Sequence, residues 1–182
     1  MSRLKIAGTV GGVVVCSVAA IIGIVQTKHP DLRVSEKGME IIGNAEGCRR
    51  DPYQCPSDVL TVGIGSTEAS GEKINPNKRY TDKEIADRWA NDLRIAERCV
   101  NQYGNGSHLP QGTFDAMTSI VFNVGCGAMS KSTMFRKANA GDYIGACNEL
   151  PKWVYAGGRK LRGLEIRREK EKALCLTDLK VR

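Results

Sequence analysis

Residues 6–25, IAGTVGGVVVCSVAAIIGIV, are twenty consecutive positions without a charge, and no other stretch restricts the chain so severely. As a helix this run is long enough to cross a hydrocarbon core of roughly 30 Å. Arg3 and Lys5 precede it, so a spanning helix keeps the N-terminus cytoplasmic and exports everything after Lys28. A cleaved signal peptide is the alternative, but the run is long for such a peptide's apolar region and no clear A-x-A cleavage site follows. The anchor is also weak. Nearly half of its residues are Gly, Ala, Ser or Thr, which contribute little transfer free energy, and a helix so built can leave the bilayer. For GTVGG alone, a helix-packing surface of small residues is the competing reading.

Residues 1–28 are therefore read as a membrane segment and 29–182 as a single folded domain, long enough for a real core and too short for two large ones. Of the net charge of +7, the segment before position 29 carries three basic residues and no acid, which leaves 24 basic and 20 acidic residues beyond it. So mild an excess suits an anionic polymer such as nucleic acid or cell wall, or simply a solvated face. Seven cysteines, at 16, 48, 55, 99, 126, 147 and 175, are many for a cytosolic chain. Their spacing fits no zinc pattern, with only His29 and His108 as partners, so no metal is expected and the compartment is oxidising.

Past the connector TKHPDLRVSEKG, Ser35 is an N-cap and Met39, Ile42 and Ala45 recur at helical spacing up to Glu46. Pro, Ser and Asp turns follow, around VLTVGIG, where Leu60, Val62 and Ile64 alternate with Thr61, Gly63 and Gly65 as in a strand. The two glycines mark either a bulge or tight turn, or a place where something approaches the backbone closely. TDKE, residues 81–84, is a capping box, and Ile85, Trp89, Leu93, Ala96 and Val100 trace the core stripe of a helix of about five turns. A second helix is expected over 111–124, on Phe114, Met117, Val121 and Val124, with shorter ones over 131–139 and 142–149. YAGGRKLRG is a turn or hairpin. LEIRREKEKALCL is an amphipathic helix with Leu164, Ile166, Leu174 and Leu176 on its apolar face. The sum is an α+β, mainly helical chain: a small β-containing lobe, a long connecting helix and a helical lobe.

Glycosidic cleavage needs a carboxylic acid to protonate the leaving oxygen and a second group across the sugar to activate water or attack the anomeric carbon. Glu46, at a helix end and expected against apolar neighbours, is the candidate acid. For the second group Asp51 and Asp58 are available by composition and Cys55 by position. Glu46, eight residues, Cys55, five residues, Thr61 is the E-x8-(D/C)-x5-T spacing of the phage-type lysozymes, and the resemblance continues through TVGIG, TDKEIADRWANDL, AMTSIVFNVG, LPKWVYAGG and RGLEIRREKE over nearly all of residues 35–176. With its weak N-terminal anchor the chain resembles the signal-arrest-release endolysins. That resemblance implies a bilobed lysozyme-like fold, Glu46 as general acid, Cys55 as the second catalytic group and Thr61 as the residue that orients water. It also implies a muramidase that cuts the β-1,4 bond between N-acetylmuramic acid and N-acetylglucosamine and lyses the host. Cys55 stands where many members have Asp, and because a thiolate is also a good nucleophile, both inverting and retaining courses are open to it.

Cys48 and Cys55 lie seven residues apart across a turn, close enough for a disulfide that would consume the catalytic thiol. In the cysteine-bearing members that the chain resembles, a membrane-buried thiol, here Cys16, attacks Cys48 once the helix escapes and frees Cys55. Of the three pairings open to the remaining four, Cys126–Cys147 and Cys99–Cys175 are expected as structural bonds. The expected partners are peptidoglycan and, before release, the bacterial inner membrane, with the body periplasmic. No cofactor, no nucleic acid and a monomer are expected. A catalytically inactive peptidoglycan-binding protein on the same scaffold is the alternative, and the Asp-to-Cys difference is its best support.

Overall fold

The computed structural model describes residues 15–55 and 58–179. Among the described residues, eight α-helices and two small hairpins are arranged around two adjoining cores. The first core gathers α1 (Val18–Lys28), α2 (Glu36–Glu46), the hairpin of β1 (Arg49–Gln54) with β2 (Leu60–Gly63), and the first half of α3 (Asp82–Tyr103). The second takes the last turns of α3 with α4 (Gln111–Val124), α5 (Cys126–Met129), α6 (Thr133–Asn139), α7 (Tyr143–Cys147) and the end of α8 (Arg162–Leu176). A second hairpin, β3 (Tyr155–Ala156) with β4 (Arg159–Lys160), lies just before α8. The expected bilobed α+β architecture is thus present, with α3 running from one lobe into the other.

The transmembrane helix expected over 6–25 is not seen among the described residues, where no helix is long and apolar enough to cross a membrane. Residues 6–14 lie outside the described part. The remainder of the run enters the globule: Ser17 caps α1 through its side chain, and Ile21, Ile22 and Val25 turn one face into the first core at 3% exposure or less. Isoleucines at positions i and i+1 with a valine at i+4 make one apolar face, which serves a protein core as readily as lipid.

Capping residues set several boundaries. Ser35 accepts from the Gly38 N–H at the start of α2, and the Thr81–Glu84 box closes reciprocally at the start of α3. All five expected stripe residues of α3 are buried, Trp89 completely. In α2, Met39 and Ile42 are buried but Ala45 is exposed beside a cleft. Of the apolar residues expected to face inward on α8, only Leu174 is buried. Ile166 is 40% exposed, Leu164 and Leu176 are half-buried, and the face turned inward carries Arg167, Arg168 and Glu171 with Leu174 and Cys175. Those charges are buried because they answer one another and a carboxylate from α2.

The structural disulfides also differ from expectation: the bonds are Cys99–Cys126 and Cys147–Cys175, with Cα atoms 5.8 and 5.7 Å apart. Cys126 starts α5 immediately after α4 has run back along α3, which sets it beside Cys99, while the end of α7 meets the end of α8. At separations of 27 and 28 residues, each closes a loop worth about 3.5 kcal/mol on the chain-entropy account.

Candidate active site

Glu46 is the last residue of α2. Gly47 ends that helix with φ +73° and starts the chain toward β1, leaving the Glu46 side chain at the boundary between the lobes, one quarter exposed. Its surroundings are not the apolar ones expected. Oε1 accepts from Arg167 Nη1 of α8 at 2.7 Å, and on the other side stands the turn after β2. There Gly65, at φ +72°, comes so close that a Cβ built on it would lie 3.2 Å from Glu46 Oε2. Gly63, at φ +64°, meets Ile85 of α3 in the same way. Both readings of these glycines therefore hold: they make a tight turn, closed by the Val62–Ser66 bridge, and they admit close neighbours.

Cys55 follows β1, half-buried, in a tight loop where its N–H donates to Val59 O at 3.1 Å and its carbonyl accepts from Asp58 N–H at 2.8 Å. Thr61 lies on β2, only 3% exposed, with Oγ1 donating to Val59 O at 3.0 Å. Both faces of β2 are thus buried, since neighbouring Val62 is buried as well. Tyr53 pairs with Thr61 across the ladder, and the Arg49 guanidinium stacks 4.4 Å from its ring centroid. Burial pushes the Tyr53 hydroxyl up, against the opposing pull of the Arg49 guanidinium. Of the two compositional candidates, Asp51 is ion-paired with Arg79 at 2.8 Å and Asp58 is an exposed loop residue at φ 60°.

A cleft of about 700 Å³ opens between α2 and the β3–β4/α8 region, with Asn44, Glu46, Leu161, Ile166, Arg167 and Lys170 in its wall. Cys55 and Thr61 are not in that lining; they belong to the β1–β2 hairpin and the loop that joins its strands. Arg167 is not among the site residues expected from the sequence, where LEIRREKEKALCL is simply an amphipathic helix. The signal was an arginine pair followed by a glutamate four residues after the first, a spacing that makes a helical ion pair.

Cys48 is bonded to Cys16, with Cα atoms 5.1 Å apart, and Cys16 N–H donates to Cys48 O. Cys55 retains its thiol outside the three disulfides. Of the two pairings expected for Cys48, the structure therefore holds the one that leaves Cys55 out. Among the described residues no cluster of three or more His, Cys, Asp or Glu could hold a metal ion. His29 bridges Asp87 and Arg94 just past α1.

The family model described as phage lysozyme matches residues 43–171. A signal-arrest-release (SAR) endolysin of Escherichia phage P1 is 43% identical over 180 residues, covering 93% of this chain and 95% of its own. The crystal structure of the active form of the P1 phage endolysin superposes with a TM-score of 0.85 at 44% identity, over 94% of this chain and 99% of that one. The secreted inactive form of the same protein superposes with a TM-score of 0.58 at 43% identity, over 81% and 98%.

Proposed function

The chain belongs to the phage lysozyme family, and on that premise we propose that it is a signal-arrest-release endolysin: a muramidase that hydrolyses the β-1,4 bond between N-acetylmuramic acid and N-acetylglucosamine in peptidoglycan and so lyses the host. The observation that carries the reading is the carboxylate of Glu46 at the boundary of the two lobes, on the wall of an open cleft and gripped by Arg167.

Glu46 delivers a proton to the leaving glycosidic oxygen, which prevents an alkoxide from having to depart. Cys55 acts from the opposite side, on water or on the anomeric carbon, and Thr61 orients the water. Tyr53, half-buried and paired with Thr61 across the hairpin, adds a hydroxyl-bearing side chain there.

Residues 1–28 serve first as the membrane segment and residues 29–182 as the periplasmic catalytic domain, a monomer acting on the wall. While the segment lies in the inner membrane, Cys48 is bonded to Cys55. After release the Cys16 thiolate attacks the Cys48 sulfur, the Cys16–Cys48 bond forms, and Cys55 leaves as a thiolate, with no net oxidation or reduction. The structure has the bond expected after the exchange, and its likeness to the active P1 form is greater than to the inactive one.

The test is release of reducing ends from purified peptidoglycan by the full chain after its escape from membranes. Wild type should lyse walls without reductant, Cys16→Ser should need reductant, and folded Glu46→Gln and Cys55→Ser should be inactive in either condition. Wall binding without any new reducing ends from wild type would replace this reading with that of an inactive wall-binding protein.

A further inference from the structure

Behind Arg167 lies a second carboxylate that the scheme above does not use. Glu171, one turn further along α8, is completely buried. Its Oε1 accepts from Ser119 Oγ at 2.6 Å, Arg168 Nη2 at 3.0 Å and Arg167 Nε at 3.1 Å, and its Oε2 faces Arg168 Nε at 2.8 Å. A carboxylate so far from water is retained only against strong compensation, and here two guanidinium groups and a hydroxyl supply it.

The arrangement fixes Arg167 in every direction. Nε is held by Glu171, Nη2 donates to the Ser119 carbonyl at 3.3 Å, and Nη1 is left pointing at Glu46 Oε1. Because the guanidinium is planar and rigid, fixing two of its nitrogens fixes where the third one points. Arg168 is tied off separately, to Asn123 Oδ1 and to Glu171, and burial pushes it down to about 10.

We propose that Glu171 is a positioning residue for the hydrolysis: by locking Arg167 against α4, it holds the Glu46 carboxyl where the leaving oxygen must meet it. The proposal rests on the assignment of Glu46 as the acid. Without Glu171, Arg167 regains its rotamers and Glu46 can swing out of line, a displacement of the order that costs about 100-fold in rate.

The experiment compares wild type, Glu171→Gln and the double variant Arg168→Gln/Glu171→Gln in steady-state hydrolysis of soluble peptidoglycan fragments, with melting followed in parallel. Glu171→Gln keeps the side chain's length but leaves two guanidinium groups facing one carboxylate, so it should lose thermal stability as well as kcat. The double variant restores the charge balance and should regain most of the melting temperature, yet kcat should stay about 100-fold down with KM within twofold of wild type. Recovery of kcat together with stability in the double variant would reduce Glu171 to a structural role and overturn the proposal. So would wild-type kcat in folded Glu171→Gln, or a change confined to KM. An inactive wild type, or an active Glu46→Gln, defeats the assignment of Glu46 instead, so the two failures are told apart.

Discussion

Gly65 shows how little room the site leaves. Its φ of +72° would strain any other residue, and a Cβ there would stand 3.2 Å from Glu46 Oε2, so the carboxylate would have to yield by a few tenths of an ångström. Gly65→Ala should cost about 1–2 kcal/mol for the left-handed backbone and should displace Glu46 as well. The expected outcome is a modest fall in the urea midpoint with a disproportionate fall in kcat; a variant that loses stability but keeps wild-type kcat would show that Glu46 tolerates the intrusion. Features local in sequence were readable in advance, such as the two glycines as points of close approach. What stayed hidden was the partner of Glu46. Arg167 is 121 residues away, and nothing local to either residue says that the acid faces a guanidinium rather than apolar side chains.

Among the elements, α1 carries the heaviest double demand. Its residues belong to the apolar run assigned to the membrane, yet Ile21 and Val25 are 0% exposed in the folded enzyme and pack with α2 and α3. Ile21→Ala should therefore destabilise the folded protein by about 2–5 kcal/mol, measured by urea unfolding. Its extraction from membranes should be no slower than that of wild type, since the substitution makes the segment less apolar. Wild-type stability would mean that α1 is only laid against the core. The Ser35 cap, the Thr81–Glu84 capping box, the α3 stripe and the α4 helix were legible because periodicity and caps are local signals. The strand β1 was not: RRDPYQ contains a proline and charges, and its pairing comes from β2 and from the bridge between Val15 and Arg49. The face of α8 was misjudged for a different reason. Apolar spacing marks the inner face only when the inner face is apolar, and here it holds an ion network.

Across the whole molecule, the joint between α1 and the body is ionic at its surface. Asp31 accepts from Arg94 Nε and Nη2, and these hydrogen bonds lower its carboxyl from 3.8 to about 2; Glu84, paired chiefly with Lys78, falls from 4.5 to about 2. Carboxyls depressed in the folded state add stability above their unfolded values and lose it as the pH falls through the folded ones. Melting temperature should thus decline as pH drops from about 4.5 to 2. In Arg94→Gln the part of the decline below 3.8 should be smaller, because the Asp31 contribution is already gone. An identical pH profile for the variant would show that this surface pair contributes nothing, and low ionic strength is the condition in which to look.

The three disulfides divide unevenly between the lobes. Cys16–Cys48 is internal to the first core, Cys99–Cys126 and Cys147–Cys175 to the second, and none of them spans the cleft. Oxidation therefore stiffens each jaw without setting the gape. The two walls of the opening are joined across it by non-covalent contacts, the packing of α2 on α4 and α8 and the Glu46–Arg167 pair, so no disulfide fixes its width.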